Sequence, residues 1–116
     1  MTQITVQIPD AVAAQVKAAN LWLPTILELN FTHFQTRAAT TGKQQVLEFL
    51  ADNPSAEEVE KFSFSRYLQQ RISRLLLLNN AGKADEAIKL ELAEWGKLLH
   101  IATMLTLKAM SYRKGL

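Results

Sequence analysis

The chain of 116 residues has no cysteine, three prolines and only two histidines. Without cysteine there is no disulfide framework, thiolate nucleophile, cysteine-based zinc site or iron–sulfur cluster. Long hydrophobic runs are missing too. The longest, such as Leu75 to Leu78, fall far short of the ~20 residues that cross a bilayer. The N-terminus lacks a basic segment leading into an apolar stretch, so the sequence predicts a soluble, cytoplasmic protein. Neither His33 nor His100 has an acidic residue four positions away on the same helical face, as a general base or ligand pair would require. Glu57, Glu58 and Glu60 sit where a helix begins, and carboxylates there favour the macrodipole without any need of a cation. Gly42-Lys43 lacks the upstream glycine and following hydroxyl of a phosphate loop. The pattern predicts no catalytic residue, metal or cofactor, and hence a protein that is not an enzyme.

What is present is an apolar fraction of 48%, enough for one small domain spanning residues 1–116 to bury a core without staples. Thirteen basic residues against eleven acidic ones give a net charge of +2. Residues 1–50 balance; residues 51–88 carry five positive and six negative charges; residues 89–116 carry five positive and two negative. A two-charge excess defines no electrostatic footprint unless lysine and arginine gather on one face, and a mixed, solvated surface is the expectation.

Residues 3–8 alternate without exception, Ile4, Val6 and Ile8 to one side and Gln3, Thr5 and Gln7 to the other, which is strand period. Pro9 ends that run, and Asp10 is a suitable N-cap for a helix over Ala11 to Ala19. A second helix, opened by Pro24, is predicted to run to about Thr36. After an interruption at Thr40-Thr41-Gly42, a third follows over Lys43 to Asp52. Ser55 and Glu58 form a capping box for a short fourth helix. Ser63 or Ser65 caps a fifth, with Leu68, Ile72, Leu75 and Leu76 inward and Arg66, Gln70 and Arg74 outward. Asp85 caps the last, which runs to about Tyr112 on a stripe of Ile88, Leu92, Trp95, Leu99, Ala102 and Ala109. A lone strand leaves its backbone groups unpaired, so the predicted strand pairs with that of a second copy. The expected architecture is mainly α: a short N-terminal β-strand pairing across a dimer, then a helical C-terminal region of about four helices.

The strand, helix and helix of residues 3–36 resemble the ribbon-helix-helix fold of small bacterial repressors and of the antitoxins of toxin–antitoxin pairs. The resemblance implies Ile4, Val6 and Ile8 at the dimer interface and Gln3, Thr5 and Gln7 facing the DNA major groove. Glutamine and threonine there can contact base edges. Residues 1–36 hold a single basic residue, Lys17, so phosphate contacts would have to come largely from a partner. Leu47-Glu48-Phe49-Leu50, Asn53-Pro54-Ser55 and the Asn79-Asn80-Ala81-Gly82 helix end resemble small bacterial proteins held to be antitoxin-like. This implies a dimerisation part at 1–36 and a helical partner-binding part at 40–116.

Twenty-eight residues of helix span about 42 Å, more than the ~34 Å diameter of a compact sphere of this length. The last helix is therefore expected either to break at Gly96 or to overhang as an arm. An overhang would present Leu99, Leu105 and Met110, flanked by Lys108 and Arg113, to a second protein. The combined reading is an antitoxin-like homodimer that binds a partner protein with this end and operator DNA with the other. A helical adaptor or assembly subunit without a DNA role is the alternative.

Overall fold

The structure, a computed structural model, describes residues 20–114. Five helices follow in chain order: α1 (Leu23–Asn30), α2 (Arg37–Ala51), α3 (Ala56–Glu60), α4 (Arg66–Asn80) and α5 (Glu86–Arg113). The expected mixed architecture is corrected on this point, because every regular element among the described residues is helix and none is strand. The strand predicted at residues 3–8 and the helix predicted at Ala11 to Ala19 lie outside the described residues.

Two boundaries differ from the sequence expectation, one for a local reason and one for a tertiary reason. α1 ends at Asn30 rather than Thr36. The Thr32 hydroxyl donates to the Glu28 carbonyl (2.7 Å) while the Thr32 amide turns to the Leu29 carbonyl (3.2 Å), so a side chain takes up an acceptor that a further turn would have used. α2 opens at Arg37 and runs straight through Thr40-Thr41-Gly42. A glycine costs a helix about 1 kcal/mol relative to alanine, and here its packing explains its presence. A Cβ on Gly42 would stand 2.5 Å from Leu98 Cδ2 and 3.1 Å from Trp95 Cζ3, so α2 and α5 approach closely only because the side chain is missing.

The remaining punctuation agrees with the sequence. Ser55 Oγ accepts from the Glu58 amide while Glu58 Oε1 accepts from the Ser55 amide, both at 3.1 Å. Ser65 Oγ accepts from the Leu68 amide, and Asp85 Oδ1 from the Ile88 amide at 2.9 Å. Gly82 takes the left-handed conformation after α4. Asn53 does so after α2 (φ 51°), and its Oδ1 accepts from the Leu21 amide. That bond offsets part of the strain of a left-handed non-glycine residue.

The main core joins Trp22, Ile26 and Leu29 with Val46, Leu47 and Leu50 of α2, Val59 of α3 and Leu98, Leu105 and Ala109 of α5. Trp22 is fully buried, and its indole Nε1 donates to the Pro54 carbonyl at 2.7 Å. A second cluster of Ala38, Leu68, Ile72 and Leu75 seats α4 on Ile88, Leu92 and Trp95 of α5. An aromatic row of Phe49, Phe62, Phe64 and Trp95, with successive ring centroids 4.8, 5.2 and 4.9 Å apart, links the two clusters.

Candidate functional site

The last helix organises the molecule, and it is neither broken nor overhanging. α5 is continuous for 28 residues through Gly96, whose Cβ position faces open space. The molecule measures 47 × 32 × 27 Å along its principal axes, so a helix of about 42 Å fits along the long one. The sphere assumed in the size argument was the wrong shape. The second half of α5 packs on the rest of the fold: Leu105 and Ala109 are buried, Tyr112 stacks obliquely on Trp22 at 5.6 Å, and Arg113 pairs with Glu60 of α3 at 2.6 Å.

The inward face of α5 is wider than the stripe read in the sequence, of which Ile88, Leu92 and Trp95 pack on the core and Ala109 is buried. Its buried residues are Glu91, Glu94, Leu98, Leu105 and Ala109, while Leu99 is 47% exposed. Two buried carboxylates account for the added width. Glu91 accepts from Nε and Nη2 of Arg71 on α4 at 3.3 and 2.9 Å, a two-point pairing that fixes the α4–α5 angle. Glu94 reaches the start of α2, where it accepts from the Gln35 amide, the Thr36 amide and the Thr36 hydroxyl at 2.7 to 2.9 Å. It thus holds the backbone leading into α2, including the amide of the N-cap Thr36, from 58 residues away. Burial pushes the Glu94 carboxyl up, but the amides of Gln35 and Thr36, the Thr36 hydroxyl and the charge of Lys97 outweigh it, and the group titrates below the usual carboxylate range.

With one face of α5 fixed, the other forms a groove against α1. Two depressions of about 560 and 440 Å³ share Glu28 and Ile101 and so run together. At one end lie Ala93, Gly96, Lys97 and His100; at the other, Met104, Leu107 and Lys108 face Pro24 and Thr25. Met104 and Leu107 are 53% and 52% exposed. Gly96 keeps its stretch of the surface low, because a side chain there would stand free of any neighbour.

The residues expected to bind a partner are thus scattered. Lys108 lines the groove. Leu105, only 4% exposed, belongs to the core and lines the groove from beneath. Leu99 lines a different depression, beside the α3–α4 connection. Met110 is half-buried, and Arg113 is engaged by Glu60. Gln3, Thr5 and Gln7, with Ile4, Val6 and Ile8, lie outside the described residues. No local pattern marks Glu28 and Ile101 as neighbours, since only the fold brings α1 beside α5 and lines one groove with both.

No group of three or more metal-ligating side chains occurs among the described residues, and none of their helices is long and apolar enough to cross a membrane. No protein-family model, curated protein or solved structure matches the chain.

Proposed function

We propose that the protein is a non-enzymatic interaction module that binds a partner protein along the α1–α5 groove. The observation that carries this reading is the pair Met104 and Leu107, both more than half exposed beside a channel continuous with Ile101. Flexible methionine side chains adapt to a second surface, and apolar residues grouped beside a groove suit an amphipathic helix laid into it. The buried acids Glu91 and Glu94 are engaged in holding helices together, which fits a scaffold better than a reaction centre. An antitoxin-like role, with the groove holding a small cytoplasmic toxin, and an adaptor role, with the groove holding a subunit of an assembly, both use this surface. The groove favours neither. Operator contact by Gln3, Thr5 and Gln7 and formation of a homodimer are separate parts of the antitoxin version, tested by promoter binding and by light scattering.

The decisive experiment is affinity capture from the native host with wild-type protein and with Met104→Glu and Leu107→Glu. Both positions are exposed, so the variants should keep the helical signal and melting temperature while losing at least ten-fold in captured partner. Capture that is undiminished in both variants would remove the groove from the reading.

A further inference from the structure

The charge balance of residues 51–88 conceals a segregation. Its six acids, Asp52, Glu57, Glu58, Glu60, Asp85 and Glu86, lie at the two ends, and no acidic residue occurs from Lys61 to Ala84. All five bases of the stretch, Lys61, Arg66, Arg71, Arg74 and Lys83, fall inside that interval. The fold makes a surface of it. α4 turns Leu68, Ile72 and Leu75 to the core, and its remaining face exposes Arg66, Tyr67, Gln70, Arg71, Ser73 and Arg74 along one open depression.

Arg66 and Arg74 form no ion pair with any described residue, whereas Arg71 is held by Glu91 through Nε and Nη2 and is still 41% exposed. Eight residues of helix set Arg66 and Arg74 about 12 Å apart along the axis. One strand of a duplex presents three to four phosphates over that length, at about 3.4 Å each. The positions between the arginines hold glutamine, serine and tyrosine, which donate to phosphate and sugar oxygens. Its apolar side chains, Tyr67 and Leu77, are 56% and 70% exposed and stand toward the two ends of the face with Gln70 and Ser73 between them, whereas a protein–protein interface centres on its apolar anchors.

We infer that this face of α4 binds the phosphate backbone of a nucleic acid, without reading its sequence. It shares no residue with the α1–α5 groove, so it stands or falls independently of the partner reading. Two to three neutralised phosphates imply that duplex affinity falls about 10- to 40-fold between about 50 mM and about 200 mM salt.

The test is fluorescence anisotropy of the full chain with labelled mixed-sequence DNA, as duplex and as single strand, and with RNA of the same sequence. Arg66→Gln/Arg74→Gln should lose about ten-fold at low salt and flatten the salt slope by about two. Lys97→Gln/Lys108→Gln carries the same change of net charge at the groove and should lose much less. Circular dichroism melts of both variants establish that each is folded. Three results would overturn the inference: no salt-dependent binding to any of the probes, equal losses in the two double variants, or tighter binding to anionic phosphatidylserine vesicles than to the oligonucleotides.

Discussion

Single side chains decide two of the contacts on which the fold depends. Glu94 satisfies backbone amides that open α2 and have no partner within their own helix. Replacing it by alanine takes the acceptor from donors that are only partly buried, which should cost about 1–2 kcal/mol; Glu94→Gln, which keeps one acceptor oxygen, should cost about half as much. The sign of the pH dependence follows from its lowered pKa. The stabilisation is complete above the ordinary carboxylate value of 4.5 and is lost as pH falls through the lower value in the folded state. Thermal melts from neutral pH downward should therefore show a fall in acid for the wild type that is shallower in Glu94→Gln. Gly42 makes the opposite kind of contribution, by absence. Gly42→Ala gains up to about 1 kcal/mol of helix propensity, but its methyl meets Leu98, which is fully buried, and the rigid ring of Trp95. Overpacking of that kind costs about 1–3 kcal/mol. A melting temperature that falls is the expected result, although the same change in an exposed helix would raise it.

Among the elements, α5 carries the heaviest obligations. Its residues reach Trp22 at the N-cap of α1 and then α2, α3 and α4 through Gly42, Glu60 and Arg71 in turn. A chain shortened by residues 104–116 loses Leu105 and Ala109 from the main core, the Tyr112 ring from Trp22 and the Arg113 pairing with Glu60. Removing one buried leucine alone costs about 2–5 kcal/mol, a large part of the stability of a domain this small. The truncated protein should lose its cooperative thermal transition, as measured by circular dichroism. Shortening from the end is thus unsuitable for separating partner binding from folding, and the exposed substitutions at Met104 and Leu107 are the cleaner means. α1 shows a complementary point. It is only eight residues long, too short to persist alone in water, and it is held by Trp22, Ile26 and Leu29 in the core and by the Asn20 amide on the Leu50 carbonyl.

At the scale of the whole molecule, the two candidate surfaces lie on different elements, the groove on α1 and α5 and the basic face on α4. Substitutions without shared partners act additively. Arg66→Gln/Arg74→Gln should therefore leave partner capture within a factor of two of wild type, and Met104→Glu should leave oligonucleotide affinity equally unaffected. Anisotropy and capture run on the wild type and these two variants check both statements. A change in both readouts from either set of substitutions would mean that the surfaces are coupled through the fold.

Local chemistry in the sequence by itself determined that helices begin at Ser55, at Ser63 or Ser65, and at Asp85, and that Leu68, Ile72 and Leu75 face inward on α4; the structure chose Ser65 and left Leu76, read as inward, 47% exposed. A capping side chain and a period of 3.6 act within a few residues, and no distant part of the chain has to be known. The same holds for the acid-free interval from Lys61 to Ala84, which is a property of composition alone, although it emerges only when the charges are placed in order rather than summed. The tertiary structure decided the rest. The start of α2 depends on a carboxylate 58 residues away, so Thr40-Thr41-Gly42 reads locally as a break and folds as the middle of a helix. The inward face of α5 depends on Glu91 and Glu94 finding Arg71 and the Gln35 and Thr36 amides. A charged residue is assigned to the surface by any pattern of hydropathy, and only a partner supplied by another element makes its burial favourable.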